Sequence, residues 1–250
     1  MVGEMKCTLW LVLSLITSFL YAQDASEIIK KVDQKMRGNS SSSNMTMKIV
    51  RPDWSREISM KGWSMGTDFS LILITAPARD QGTAFLKRDK ELWNWQPTID
   101  RVIKLPPSMM TQSWMGSDFT NDDLVKESSI VNDYNHFIRG DSTITGRDAW
   151  KIELIPKEGA PVVWGRILIY VSKDDDIELL IKYYDEDDFL INTMILSDIR
   201  EMGGRVIPAR LDMIPAENPE HRTVIHYNDI QFDIGISEDF FSIKKMKLIR

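Results

Sequence analysis

Over most of the chain, apolar and polar residues alternate with a period of two, the mark of half-buried strands. Met45, Met47 and Ile49 alternate with Asn44, Thr46 and Lys48. Trp150, Ile152 and Leu154 alternate with Lys151 and Glu153. Only the start of the chain departs clearly from this. Ile28, Ile29, Val32 and Met36 recur at helical spacing with lysines on the other face, predicting a helix over residues 24–36. Asp24 and Glu27 have capping-box spacing, and Gly38 is a natural stop. The serines at 40–43 read as a short flexible link.

Beyond that link the pattern predicts about a dozen strands at spacings of roughly 8 to 12 residues, as in a sandwich or barrel. Ile58 and Met60 continue the first alternation. Gly62, placed before Trp63 and Met65, predicts a bulge that swaps faces. Residues 69–75 form a nearly continuous apolar strand that stops at Ala76-Pro77. Further strands are expected over 83–87, 91–96, 101–105, 134–139, 148–155, 164–172, 177–184, 189–199, 205–214 and 223–232. A second short helix is expected from 121 to about 127, capped by Thr120. Phe240 and Phe241 are expected to dock the C-terminal tail. The connections are short turns, so neighbouring strands pair antiparallel. One strongly curved sheet with helices over its open side is the simplest architecture.

The richest stretch is 82–124. Of its two clearest strands, 83–87 and 91–96, the second carries Trp93 and Trp95, which share one face because they are two apart. A loop broken by Pro, Ser and Gly then carries Met109, Met110, Trp114, Met115 and Phe119, and Leu124 follows. Loops are normally polar and superficial. This one must bury its apolar area or offer it to a ligand. With Trp63, these nine residues are the candidate lining and lid of an apolar site. Such sites are concave and carry few polar anchors. A buried acyl chain gains about 0.8 kcal/mol per methylene, so affinity needs no charged motif.

Composition narrows the choice. The net charge is −6 with no basic face, which argues against nucleic acid. Lys6, the apolar run 9–20 and Ala22 before Gln23 form a signal peptide over residues 1–22, cut after Ala22. Its apolar run is shorter than the roughly 20 residues a bilayer span needs. The cut is not followed by Cys, and the single cysteine, Cys7, lies within the leader, so neither a lipid anchor nor disulfides are expected. The remainder, 23–250, reads as one domain. A periplasm suits these features. Eukaryotic secretion is also open, since Asn39 and Asn44 sit in N-x-[ST] sequons.

Catalytic and metal chemistry find little support. His136, His221 and His226 have no zinc-site spacing. The acidic runs 174–176 and 185–188 lack the calcium-loop pattern and fall at expected hairpin turns. Gly140-Asp141-Ser142 is similar to an esterase nucleophile block, but no helix is predicted after it and no Gly-x-Ser-x-Gly occurs. No cofactor or metal is expected, nor enzymatic activity. A carboxylate pair with the Trp residues as a sugar platform, in a secreted carbohydrate-binding protein, stays open as an alternative.

Several blocks together carry a family resemblance. They are the leader, the first helix, the strand ending at Ala76-Pro77, Gln81–Lys87, Leu92-Trp93-Asn94-Trp95-Gln96-Pro97, Arg101–Pro106 and Ile207-Pro208-Ala209. The most specific is Trp114-Met115-Gly116-Ser117-Asp118-Phe119-Thr120-Asn121-Asp122-Asp123-Leu124. Across nearly the whole mature chain, the sequence resembles the LolA-like outer-membrane lipoprotein-sorting family. The resemblance implies a mainly β fold, an incomplete barrel with helices covering its mouth. It implies an apolar cavity for acyl chains of lipoproteins or lipids, transient membrane contact and an RND-type inner-membrane transporter as partner. A lipid or envelope-stress sensor of the same fold is the alternative.

Overall fold

The computed structural model describes residues 24–89, 91–125 and 129–249. The leader lies outside the described residues. The predicted first helix is present as α1 (Ala25–Arg37). The Asp24 carboxylate caps it by accepting from the Ser26 N–H. Gly38 ends it at φ 68°. A side chain there would be strained and would meet Arg205 and Phe232.

All strands belong to one sheet. The first half is a meander of β1 (Ser40–Val50), β2 (Ser55–Met65), β3 (Phe69–Ala76), β4 (Ala84–Arg88), β5 (Glu91–Gln96) and β6 (Arg101–Lys104). The second half comprises β7 (Tyr134–Ile144), β8 (Arg147–Pro156), β9 (Arg166–Ser172), β10 (Glu178–Tyr184), β11 (Leu190–Met202), β12 (Arg205–Pro215) and β13 (Arg222–Phe232). Every pairing is antiparallel, in the order β6-β5-β4-β3-β2-β1-β13-β12-β11-β10-β9-β8-β7. The halves are joined where β1 meets β13, and β6 and β7 are the two edges. The barrel is open, as expected. Consecutive strands β6 and β7 lie at opposite edges, so the chain between them crosses the gap. It holds the short helices α2 (Asn121–Val125) and α3 (Ser129–Asn132).

Curvature divides the apolar residues between two sides. Inward positions on strands as far apart in the sheet as β4 and β9 join one cluster: Phe85, Ile72, Met47, Ile225, Met194 and Ile169. The α1 residues Ile28, Ile29 and Val32 complete it. Helix α1 packs against β7, α3 and β12, across the mouth. A separate cluster lies on the convex side. Leu71, Leu73, Leu86 and Trp95 pack there against Phe241, Met246 and Ile249. The last two flank or belong to α4 (Ile243–Leu248), which covers this face. Phe241 is fully buried, so the aromatic pair does dock the tail. Burial from both sides explains why β3 reads as an unbroken apolar run.

Two local expectations are corrected. The serines at 40–43 are not a link but the first turn-free stretch of β1, paired on both sides by β2 and β13. Two of their side chains find partners on other parts of the chain: the Ser41 and Ser64 hydroxyls lie 2.8 Å apart, and Ser40 donates to the Ile234 carbonyl at 2.6 Å. Gly62 is not a face-swapping bulge. β2 pairs with β1 without a register shift from Ser55 to Met65. A Cβ on Gly62 would sit 3.0 Å from the Met45 methyl and 3.1 Å from the Ser43 hydroxyl. The glycine makes room on the concave side rather than turning the strand.

Candidate ligand cavity

Between the concave face, α1 and the crossover lies a cavity of about 200 Å³. Its wall is built by strand alternation. Met45 and Met60 line it from the first half of the sheet. Ile181, Met194, Leu211 and Ile225 line it from the second half. Val32 and Met36 on α1 close it from above.

Trp164 and Tyr134 close the crossover side. Their order depends on contacts distant in sequence. The Trp164 indole N–H donates to Asp123 Oδ1 at 2.8 Å, and the Tyr134 hydroxyl donates to the Trp164 carbonyl at 3.2 Å. Trp164 also packs on Tyr183, with ring centroids 5.1 Å apart. Burial raises the Asp123 carboxyl above its ordinary pKa, opposed by the bonds from the Thr120 N–H and the Trp164 indole. Burial likewise pushes the Tyr134 phenol upward, so it stays a neutral donor. Thr120 and Asp123 cap α2 reciprocally, at 2.8 and 3.1 Å.

The Trp/Met loop is the crossover itself, and it is pinned. Trp114 and Phe119 are joined by a backbone bond of 2.8 Å across a turn in which Met115 and Gly116 have positive φ. Asp118, in that turn, accepts both Arg51 Nη atoms, at 2.9 and 3.0 Å. It also accepts from the Thr223 hydroxyl at 2.6 Å. The Arg56 guanidinium reaches the Met115 carbonyl at 3.4 Å. The pair Arg51–Asp118 is mostly shielded from solvent, so the turn is tied to the ends of β1 and β13.

The nine sequence candidates do not share one place. Phe119 lines the cavity. Met110, Trp114 and Met115 pack in the same concave cluster beside it. Trp114 is fully buried, its ring 5.1 Å from Phe85, and its indole N–H has no hydrogen-bond partner among the described residues. Its packing is that of a core residue. Met109 is half-buried, and its carbonyl accepts from Asn121. The Leu124 side chain lies outside the described residues.

Trp63, Trp93 and Trp95 are placed otherwise than expected. They do share a face, but it is the convex one. Trp63 borders the cavity, yet its ring packs on Phe240 at 5.6 Å. Trp93 and Trp95 lie under α4, with Lys104 and Lys247 ammonium groups over their rings. Their inward neighbours are Leu92 and Asn94. Two-residue spacing identifies a shared face without saying which face is hollow. Of the residues missed, Met194 and Leu211 are ordinary inward positions of alternating strands, and that alternation was the signal available for them, whereas Trp164 lies in the loop just before β9.

A family model described as an uncharacterized protein matches residues 66–248, most of the chain. The chain belongs to this family. Solved structures share the LolA-like fold over 89% of the chain. A DUF1329 family protein from Desulfovibrio piger is 24% identical, with a TM-score of 0.79 and 97% of its own chain covered. A domain from Vibrio parahaemolyticus, assigned as outer membrane lipoprotein-sorting, is 20% identical at a TM-score of 0.80, with 98% covered. A LolA superfamily protein from Nitrosomonas europaea is 22% identical at 0.78, with 99% covered. No curated protein matches the sequence significantly.

Among the described residues, no group of three or more His, Cys, Asp and Glu could hold a metal ion. His136 bonds Ser26 at 3.0 Å and the Ile130 carbonyl at 2.7 Å, tying α1 to α3. His226 lies in β13 beside Asp198, at 3.3 Å. Gly140-Asp141-Ser142 lies within strand β7. The acidic runs at 174–176 and 185–188 fall at the β9–β10 and β10–β11 connections.

Proposed function

We propose that the protein is a periplasmic carrier that binds acyl chains of lipoproteins or lipids and moves them toward the outer membrane without enzymatic chemistry. The observation that carries this reading is the hollow on the concave face, walled by Met45, Met60, Ile181, Met194, Leu211 and Ile225. A sheet packed for stability alone would fill that space, because protein interiors are close-packed. Methionine suits a wall that must accept irregular chains. The leader expected at residues 1–22 supports export, and the relatives assigned to lipoprotein sorting share the fold. An RND-type inner-membrane transporter, implied by the family resemblance, is the partner this reading expects. The paired tryptophans do not favour a sugar platform, since α4 and the Phe240–Phe241 pair cover them.

The test is transfer. The mature protein, mixed with donor vesicles carrying a fluorescent phospholipid or diacylated peptide, should extract it and accelerate its passage to acceptor vesicles. Binding without any acceleration would replace the carrier by a lipid sensor or adaptor. Absence of binding would remove both.

A further inference from the structure

The serine and lysine side chains on the strand wall of the cavity are gathered at one end, while Tyr134, Tyr183 and the α2 carboxylates Asp122 and Asp123 lie toward the other. Call the lower end the one that carries the β2–β3, β4–β5 and β9–β10 turns. There, four inward residues form a continuous cross-strand row. Lys87 is paired with Ser70, Ser70 with Ser64, and Ser64 with Ser41. All four line the cavity. Lys87 is 6% exposed, and its ammonium donates to the Thr67 carbonyl. The Ser70 hydroxyl is buried and has no hydrogen-bond partner among the described residues. Arg37, at the last turn of α1, reaches the same space, held by Asp33 at 2.7 Å. Glu178, at the start of β10, faces it as well. Away from this end, the strand walls turn apolar, through Met60 and Ile72 on one side and Met194 and Leu211 on the other.

A cavity for hydrocarbon alone needs no lysine in its wall, and a buried hydroxyl left without a partner among the described residues, as at Ser70, costs free energy. The cost is recovered if a ligand brings an acceptor to that spot. Lysine and hydroxyl donors together suit an oxyanion, because charge-assisted hydrogen bonds are the strong ones. Arg37 adds a second positive charge, already compensated by Asp33, and Glu178 disfavours a bare multiply charged anion. We propose that the cavity takes an amphiphile whose head carries a phosphate or carboxylate, bound at the lower end by Lys87 and Ser70, with its chain lying between Met60 and Met194. This assignment rests on the reading of the cavity as a lipid site and adds the class of headgroup.

An isochain series tests it: dodecyl phosphate, dodecanol and dodecylamine, titrated calorimetrically below micelle concentrations into the mature protein. Dodecyl phosphate should bind about tenfold or more tightly than dodecanol, the scale of one hydrogen bond to a charged group. Dodecylamine should gain nothing over dodecanol. Lys87→Met keeps the stem and should erase the phosphate advantage while leaving dodecanol affinity unchanged. Lys87→Arg should restore the advantage. Thermal melts confirm that each variant folds. Equal affinity for phosphate and alcohol, or equal loss of both in Lys87→Met, overturns the headgroup assignment. So does inorganic phosphate binding as tightly as dodecyl phosphate, since the site would then serve a free ion. If none of the three amphiphiles binds, the carrier reading itself fails, a distinct result.

Discussion

The two faces of the sheet are both apolar and are built from the same strands, yet they are finished differently. On the convex face, Trp95, Leu71, Leu73 and Leu86 meet Phe241, Met246 and Ile249 in continuous packing. On the concave face, α1 and the crossover roof the barrel without filling it, and methionines and branched aliphatics, with Trp164, Tyr134 and Tyr183 on the crossover side, surround a hollow. The large rigid aromatics Trp93 and Trp95 went to the filled side. The adaptable side chains Met45, Met60 and Met194 went to the hollow one. The tryptophan pair of β5 therefore marks a packed face, and the methionines of β1, β2 and β11 mark the wall of the hollow.

The largest expected effects come from the filled parts. Phe241→Ala should cost about 3–5 kcal/mol in a denaturant melt, as for other buried aromatics, with lipid uptake per folded molecule unchanged. Trp114→Ala should cost a similar amount, about 3–5 kcal/mol, because Trp114 is fully buried against Phe85. A Trp114 variant that lost uptake but kept its stability would move this residue from core to lid and break the division.

Next comes the tether of the roof. Asp118→Ala leaves the Arg51 guanidinium without its carboxylate and should destabilise by about 3 kcal/mol, the scale for breaking a shielded pair. Amide exchange should rise first in residues 113–120, while the convex cluster stays protected.

Filling the hollow should be cheap by comparison. Leu196→Trp directs extra volume into the cavity. Its stability change should stay within about 1 kcal/mol, below the usual cost of overpacking a filled core, while uptake of a lipid probe is lost.

The smallest effect is on acidification. Burial lowers the His136 pKa from its ordinary 6.5, with the Ile130 carbonyl opposing. Below that ordinary value the unfolded chain takes up the proton first. The stabilisation is thus full above about pH 6.5 and is lost as pH falls through the depressed folded value. Since His136 joins α1 to α3, exchange should quicken at the mouth before the convex face, and His136→Gln should remove that difference.

These contrasts also show what could be read from residues alone. Helix α1, the strand Glu91–Gln96 and the alternation of Arg147–Pro156 are plain in the pattern, because periodicity reports burial on one side directly. The opening of β1 was hidden, since serines whose partners are Ser64 and the Ile234 carbonyl, distant in sequence, look like serines in a linker. The identity of the hollow side was hidden too. Trp93 and Trp95 alternate as faithfully as Met45 and Met47, and only the position of α4, a short lysine-bearing helix 150 residues away in the chain, decides which face is roofed and which is packed. The partnership of Trp164 with Asp123 spans 41 residues and leaves no local trace.

The central claim is that acyl chains occupy the concave hollow and not the aromatic face. A fatty acid bearing a diazirine near its methyl end, bound to the mature protein, photolysed and mapped by peptide mass spectrometry, tests this most directly. The account predicts adducts on Met45, Met60, Ile181, Met194, Leu211 or Ile225. Adducts concentrated on Trp93, Trp95 or Phe241 would contradict it.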